Sequence, residues 1–316
     1  MGNYRTFIKT LAIGSLILMV IAGCLSCSGQ KAKGFETAEK FSLLWEITGN
    51  GLQKPSYLYG TIHMYDTSIF KISEEVYKAI DTCDNFALEI DFNNIDAFSI
   101  AQRMQVTNPD STLDKLLEAE VYAEIIKIPI VQMMGEQVNT MKPFFITSYL
   151  MIENPMTMMS VDMELNQYAR NHNKNIIGLE TMDEQLDMVD MISLAEQAQG
   201  IVDIYNYCKK ENMGFHEAGK NIFGKMQRAY KNQDFETFEN LEEEFKMTSS
   251  SPVSDSAMIA DRNIHMADRI SDFIQQNKTL FSGVGTLHLP DYKGMRGVVT
   301  LLKEKGYTMR PILIKL

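Results

Sequence analysis

The chain has 316 residues and a formal net charge of −11, from 41 acidic and 30 basic side chains. A chain of this length can bury a large hydrophobic core. Its acidic balance argues against nucleic acid and anionic lipid surfaces as partners, because both repel a negatively charged protein.

Residues 1–23 have the pattern of a secretory signal: Arg5 and Lys9 precede an apolar run that is too short for the roughly 20 residues of a membrane span. The run ends in Ile-Ala-Gly-Cys, which resembles a bacterial lipobox and predicts cleavage before Cys24 and lipidation of that cysteine. Cys27 is a weaker alternative, and an ordinary signal peptide is another. We expect 24–40 to be a flexible tether and the protein to be lipid-anchored in the cell envelope.

Residues 41–316 are predicted to form one domain with a mixed α/β fold. Two related portions, each with strands and helices, flank a helical middle segment at about 130–275. Alternating β-branched and aromatic residues predict strands over 41–48, 56–62, 85–92, 175–180, 279–285 and 307–314, the first two as a hairpin. Apolar residues three or four apart predict helices over 73–83, 111–127, 195–213, 215–232, 235–247, 254–276 and 294–306.

Several residues are predicted to begin or end these helices. They are Ser73 for the first helix, Ser111 or Thr112 for the second, Ser254 or Ser256 for the long late helix, and Gly306 at the end of the last. Beyond the N-terminal pair, the cysteines are Cys83 and Cys208. We expect two buried thiols rather than a disulfide, because two cysteines provide no disulfide framework.

Three familiar motifs are approached but not completed. The stretch 283–288 begins like a dinucleotide-binding fingerprint, but His288 stands where the third glycine belongs. The stretch 214–221 nearly spells a phosphate-binding loop, but it ends in Asn221 and follows no predicted strand. His216 and Glu217 begin a zinc-protease pattern whose second histidine is replaced by Lys220.

Polar side chains instead follow the apolar strands, where sheet proteins place their chemistry. His63 and His288 each end a Gly-Thr-x-His sequence, while Glu89 and Glu180 lie at the ends of two other strands. A carboxylate in such a position needs a cation or hydrogen-bond partner. Neutral imidazole is the commonest metal ligand, and a single strand-end histidine is usually structural. The repetition of the motif favours a functional pair that faces one cleft.

The other motif residues are assigned supporting roles. Gly60 and Gly285 lack a Cβ and allow a sharp bend or the close approach of a ligand. Thr61 and Thr286 are expected to satisfy a backbone group or to support the histidine. The remaining histidines of helix and turn, His265 and His172, are not expected to be ligands.

Several segments together resemble the TraB/PrgY/GumN family, which includes the Tiki proteases. The resemblance spans about 41–313 and rests on the Gly-Thr-Ile-His at 60–63, ALEID at 87–91, IIGLETMDEQL at 176–186, ADRN at 260–263 and the segment 283–312. It implies a mixed α/β fold, shared with erythromycin esterase-like and ChaN-like relatives, whose matching motifs face one cleft. It also implies a metal-dependent protease that uses His63, His288 and Glu89, with Glu180 and Arg262 at further family positions.

The resulting hypothesis is a metal-dependent hydrolase for a peptide or protein substrate. His63 and His288, with Glu89 or Glu180, would hold a divalent metal, and the remaining glutamate would be the general base. Arg262 would stabilise an oxyanion or hold a carboxylate. This donor set suits Mn, Co, Fe or Zn. The alternatives are a non-catalytic lipoprotein that binds a peptide or small ligand, and an esterase-like hydrolase of small molecules.

Overall fold

In the described part of the chain, six strands form a single mixed sheet between two layers of helices. The computed structural model describes residues 41–151, 159–245 and 259–316, so the predicted signal, the tether, Cys24, Ser254 and Ser256 lie outside the described residues. The strands are Leu44–Gly49 (β1), Ser56–Thr61 (β2), Asn85–Ile90 (β3), Asn175–Glu180 (β4), Leu280–Gly285 (β5) and Tyr307–Ile312 (β6). The predicted mixed α/β fold is confirmed.

Thirteen α-helices lie within the described residues. The first seven are Glu74–Thr82 (α1), Ala97–Arg103 (α2), Leu113–Leu116 (α3), Ala119–Ile125 (α4), Pro129–Met134 (α5), Pro143–Leu150 (α6) and Val161–Asn171 (α7). The other six are Met182–Met191 (α8), Leu194–Lys210 (α9), Phe215–Asn232 (α10), Phe235–Phe245 (α11), Asp261–Ile274 (α12) and Val298–Glu304 (α13). Among the described residues of the middle segment, β4 is the only strand, as predicted.

The strand order of the sheet is β4-β3-β5-β2-β1-β6. The four strands β4, β3, β5 and β2 run parallel, whereas β1 is antiparallel to both β2 and β6. The predicted hairpin of β1 and β2 is therefore confirmed. β5, from near the end of the chain, lies between β2 and β3 from near its beginning. The carboxyl ends of four strands consequently meet at one edge of the sheet.

The central strands β3 and β5 are buried on both faces, which explains their nearly continuous apolar sequences. In β3, Phe86 and Leu88 pack into the larger hydrophobic cluster, to which helices α1 to α11 contribute. Ala87 points the other way, into a smaller cluster with α12 and α13. The alternation follows from the two-residue period of a strand. Both helical layers therefore reach the edge where the parallel strands end.

Two predicted helices have different bounds in the structure. The helix expected over 111–127 is divided into α3 and α4 because Leu117 and Glu118 have extended backbone angles, and Thr112 makes no capping hydrogen bond. The apolar spacing could not show this break, since Leu113, Leu117, Val121 and Ile125 are all buried.

The last predicted helix begins late, at Val298, because Gly294 has a φ of +80° in a turn that joins Tyr292 to Met295. Its end is as predicted, since Gly306 follows the helix with a φ of +92°. Ser73 caps α1 as expected. Cys83 and Cys208 are free and buried, which confirms that prediction.

Candidate functional site

The polar residues predicted at the strand ends lie together at the carboxyl edge of the parallel strands. Glu89 is in β3, Glu180 is the last residue of β4, His63 lies two residues beyond β2 and His288 lies in a short 3-10 turn after β5. All four side chains are buried, as is Arg262 in the first turn of α12. The sheet thus collects on one edge residues that are up to 225 positions apart in the chain.

Arg262 lies between the two buried glutamates. Its Nη2 donates to Oε2 of Glu89 at 2.5 Å and to Oε2 of Glu180 at 2.7 Å, while its Nε donates to both carboxylate oxygens of Glu180. Gln185 also donates to Glu180, at 3.0 Å. Burial raises the pKa of Glu89, but Arg262 and then the two imidazoles outweigh it and hold that pKa below its ordinary value. The carboxylate therefore stays ionised at neutral pH.

The two glutamates differ in what their oxygens face. The contacts of Glu180 are with Arg262 and Gln185. Glu89 instead turns Oε1 toward the strand ends, where it accepts from the backbone N–H of Gly285 at 2.6 Å and lies 3.8 Å from Nε2 of His288. Of the two glutamates, Glu89 is therefore the one that lies beside His288.

His288 is held by an amide that sequence reasoning did not assign. Its Nδ1 lies 2.6 Å from Oδ1 of Asn263, whose amide nitrogen donates to the carbonyl of Arg296 at 2.8 Å. Because that second bond points the amide oxygen toward the ring, Nδ1 of His288 carries the proton. Burial and the neighbouring Arg262 lower the pKa of His288 to about 3. The imidazole is therefore neutral, with its lone pair on Nε2.

His63 is held by a carboxylate that was also missed. Its Nδ1 lies 2.8 Å from Oδ2 of Asp162 in α7, and Oδ1 of Asp162 accepts from the hydroxyl of Thr61 at 2.7 Å. Burial lowers the pKa of His63, but Asp162 outweighs it, so the net direction is upward. The other ring nitrogen, Nε2, is buried and has no hydrogen-bond partner.

Gly285 lies at the centre of this cluster. A Cβ at this position would be 3.1 Å from Oε1 of Glu89, 3.3 Å from Cδ2 of His288 and 3.6 Å from Nε2 of His63. A side chain here would fill the space that the three groups share. The structure thus brings together His63, His288 and Glu89 around Gly285. Glu180 does not reach this group, and it contacts Glu89 only through Arg262.

The two Gly-Thr-x-His motifs are not structurally equivalent. Thr61 pairs with Gly285 across β2 and β5, so the motifs are staggered by one residue. Gly60 serves packing, since a Cβ there would be 2.6 Å from Leu289. The hydroxyl of Thr286 donates to the carbonyl of Thr61 at 2.8 Å and joins the two strand ends. The two imidazoles therefore approach Gly285 from different backbone positions.

The chemistry of the donors fits a divalent metal, although no ligand geometry is already formed. Within the described ranges, no three His, Cys, Asp or Glu side chains stand in an arrangement that could hold an ion. Both oxygens of Glu89 already accept protein hydrogen bonds. His63 nevertheless has a buried, unpartnered Nε2, and each histidine has an oxygen acceptor at Nδ1, as metal-ligating histidines usually do.

A small cavity adjoins the cluster. It has a volume of about 20 Å³, room for one water-sized molecule. His63, Gly285 and Thr286 line one side, and Met226 of α10 and Phe238 of α11 line another. The cavity connects the donor atoms to a mainly apolar wall.

With this geometry established, comparison with known proteins gives the family. The model of the TraB/PrgY/gumN family matches residues 43–311. The chain belongs to the TraB/PrgY/gumN family. No curated protein and no solved structure matched it. In the part of the chain that the structure describes, no helix is long and apolar enough to cross a bilayer.

Sequence reasoning predicted five residues that the structure of this TraB/PrgY/gumN family member places at one edge of the sheet, but it missed their partners Asp162 and Asn263. Asn263 directly follows Arg262 and belongs to the ADRN segment, so the motif contained a signal that was not used. Asp162 follows Ser160, the N-cap of α7, and looks like an ordinary acidic residue in a first helical turn. Its contact with His63 is a tertiary one, 99 residues away in sequence.

Proposed function

We propose that the protein is a metal-dependent hydrolase that cleaves peptide bonds and uses the cluster around Gly285. The observation that carries this proposal is the buried, unpartnered Nε2 of His63 beside Gly285, close to Oε1 of Glu89 and to the ring of His288. A buried polar atom without a partner is costly, and such atoms are retained where function needs them.

The residues divide into those at the centre and those that position them. His63 and His288 would hold the ion through Nε2, together with Oε1 of Glu89. Arg262 forms ion pairs with both Glu89 and Glu180, so its guanidinium positions the two carboxylates, and Glu180 in turn positions Arg262. A bound Mn, Co, Fe or Zn ion would supply a Lewis acid and lower the pKa of a water molecule.

The cellular setting is part of the same proposal. Lipid on Cys24 would anchor the protein in the cell envelope, where its substrate would be a peptide or protein. A Cys24→Ala chain should lose metabolic labelling with a fatty acid and leave the membrane fraction, and retention of both would contradict the anchor.

The test of activity uses the full-length chain. Purified His63→Ala and His288→Ala variants should each lose bound metal, measured by elemental analysis, and cleavage of a peptide library, measured by mass spectrometry. The matched control is His265→Ala, an exposed histidine in α12, which should keep both. Metal content and cleavage equal to those of the parent in both site variants would refute the proposal.

Gly285→Ala tests the same centre without removing a donor. The added methyl group would lie within 3.6 Å of Glu89, His288 and His63, so metal binding and cleavage should fall sharply. The control is Gly224→Ala in α10, where the nearest atoms belong to the flexible side chain of Arg228. That change should leave activity intact and slightly stabilise the helix, by about 0.5–1 kcal/mol. A Gly285→Ala protein as active as the parent would mean that the reacting group binds elsewhere.

The cavity itself holds only a water-sized molecule, but Met226 and Phe238 give it a mainly apolar wall, beside which an uncharged small ester would also be accepted. A panel of peptide and ester substrates therefore accompanies the peptide library. Metal-dependent cleavage of esters alone would assign the protein to the esterase-like class. Binding of peptides without any cleavage, unaffected by metal removal, would assign it to the non-catalytic class.

A further inference from the structure

The beginning of α7 is fixed against the loop that carries His63. The backbone N–H of Val161 donates to the carbonyl of Ile62 at 3.1 Å, and the N–H of Tyr65 donates to the carbonyl of Met159 at 2.9 Å. The hydroxyl of Ser160 accepts from the N–H of Met163 and caps the helix. These bonds fix the first turn of α7. Asp162, the second residue of that helix, is therefore held beside the imidazole of His63.

Asp162 is buried and has contacts through both of its oxygens. Oδ1 accepts the hydroxyl of Thr61 at 2.7 Å. Oδ2 lies 2.8 Å from Nδ1 of His63, although it has no donor in good hydrogen-bond alignment there. A lone pair on Nδ1 at that distance would face a carboxylate oxygen and be repelled, whereas a proton there is attracted. The contact therefore favours the proton on Nδ1.

A proton on Nδ1 leaves the lone pair of His63 on Nε2, the atom that faces Gly285 and Glu89. We propose that Asp162, held by Thr61, is a positioning residue that fixes the ring orientation and the Nδ1-protonated tautomer of His63. The functional importance of this tautomer rests on the proposed function. A lone pair on Nε2, directed at the centre, could bind a metal ion or accept a proton.

The inference also makes the two histidines different in kind. His63 is supported by an anionic carboxylate, whereas His288 is supported by the neutral amide of Asn263. A carboxylate behind an imidazole raises the basicity of the ligand more than an amide does. The stronger donor of the pair is therefore His63, and its support comes from the helical middle segment rather than from either Gly-Thr-x-His motif.

The test compares Asp162→Ala and Asp162→Asn in the full-length chain. The alanine variant removes both contacts. The asparagine variant keeps the shape, since its amide oxygen can face Nδ1 while its amide nitrogen donates to Thr61. The control is Asp81→Asn, far from the site, where the carboxylate accepts from Tyr168. Two measurements are made, the side-chain nitrogen chemical shifts of His63 by NMR and the affinity for added Mn²⁺ or Zn²⁺ by calorimetry.

In the parent and in Asp81→Asn, the shifts should report a protonated Nδ1 and an unprotonated Nε2. Asp162→Ala should show a mixture of tautomers and bind the metal about 10–100-fold more weakly. Asp162→Asn should keep the tautomer and lose less affinity. If the alanine variant fails to fold, an Asp162→Asn protein with the parent tautomer supports the inference, and one with a mixture of tautomers overturns it.

The inference fails if Asp162→Ala keeps both the parental shifts and the parental affinity. It also fails if the parent itself carries its proton on Nε2. If the parent binds neither metal, the proposed function fails, and the NMR shifts alone decide whether Asp162 positions His63.

Discussion

At the scale of single residues, Arg262 is the cation on which the buried carboxylates depend. Glu89 and Glu180 both pair with its guanidinium, and all three residues are at most 5% exposed. Removing one partner of a buried ion pair leaves the other charge uncompensated, which costs more than the pair itself contributes. The folded state should therefore depend strongly on this arginine.

Replacing Arg262 with methionine should lower the free energy of unfolding by about 3–5 kcal/mol, because two buried carboxylates lose their cation. Denaturant unfolding followed by circular dichroism measures the change. The triple variant that adds Glu89→Gln and Glu180→Gln should recover part of the loss, since it removes the unpaired charges. The control is Arg296→Met, which removes the exposed ion pair with Glu304. This change should lower the free energy of unfolding by less than about 0.5 kcal/mol. An Arg262→Met protein as stable as the parent would show that the carboxylates need no cation.

At the scale of elements, α8 is fixed directly after the strand that ends in Glu180. Thr181 and Glu184 form a reciprocal capping box at its start. Arg269 of α12 donates to Glu184 in α8 and to the carbonyl of Leu179 in β4, so it joins α12 to both of these elements. The hydrogen bond from Arg269 lowers the pKa of Glu184 to about 2, against an ordinary value of 4.5. The carboxylate of Glu184 thus both caps α8 and binds Arg269 of α12, which also contacts the end of β4.

This link predicts how stability depends on pH. A carboxylate whose pKa is lower in the folded than in the unfolded protein stabilises the fold above its unfolded pKa, near 4.5, and loses that contribution as the pH falls toward 2. The Glu184→Gln chain should therefore be less stable than the parent at pH 6, and the difference should shrink at pH 3. Urea unfolding at the two pH values measures it. An equal difference at both would mean that ionised Glu184 contributes nothing to the fold.

Apolar periodicity in the sequence predicted most secondary-structure elements, but not all of their bounds. Strand positions and most helices followed from apolar periodicity, because burial on a sheet or along a helix face repeats with a fixed period. The division of 111–127 into α3 and α4 did not, since Leu117 is buried in a continuous or a broken helix alike. The late start of α13 depends on a local turn around Gly294.

At the scale of the whole molecule, the sheet joins the two ends of the chain. β5 lies between β2 and β3, so the strands with the two Gly-Thr-x-His motifs are direct neighbours. Helices α1 to α11 contribute to the hydrophobic cluster on one face, and α12 and α13 cover the other. Cys83, just after α1, and Cys208, on α9, belong to the same hydrophobic cluster on the first face. The reactivity of either thiol therefore measures the opening of the same hydrophobic cluster.

Both thiols should be inert in the folded protein and reactive after unfolding. Burial raises the pKa of Cys83 to about 12 and that of Cys208 to about 11, and the thiolate is the reactive form. In a chain that carries Cys24→Ser and Cys27→Ser, a thiol-reactive disulfide reagent at pH 8 should label almost nothing natively and two thiols in denaturant. A thiol that reacts natively as fast as free cysteine would show that this part of the core opens independently.

The sequence by itself determined the mixed α/β fold, the family and the two Gly-Thr-x-His motifs. With the family resemblance, it also predicted the candidate site residues His63, Glu89, Glu180, Arg262 and His288. These followed because strand periodicity and short motifs are local. Only the tertiary structure decided that Arg262 lies between the glutamates, that Glu89 rather than Glu180 faces the histidines, and that Asp162 and Asn263 support them. Each of those relations joins side chains from different elements, and the order of strands in the sheet, which no local pattern encodes, brings them together.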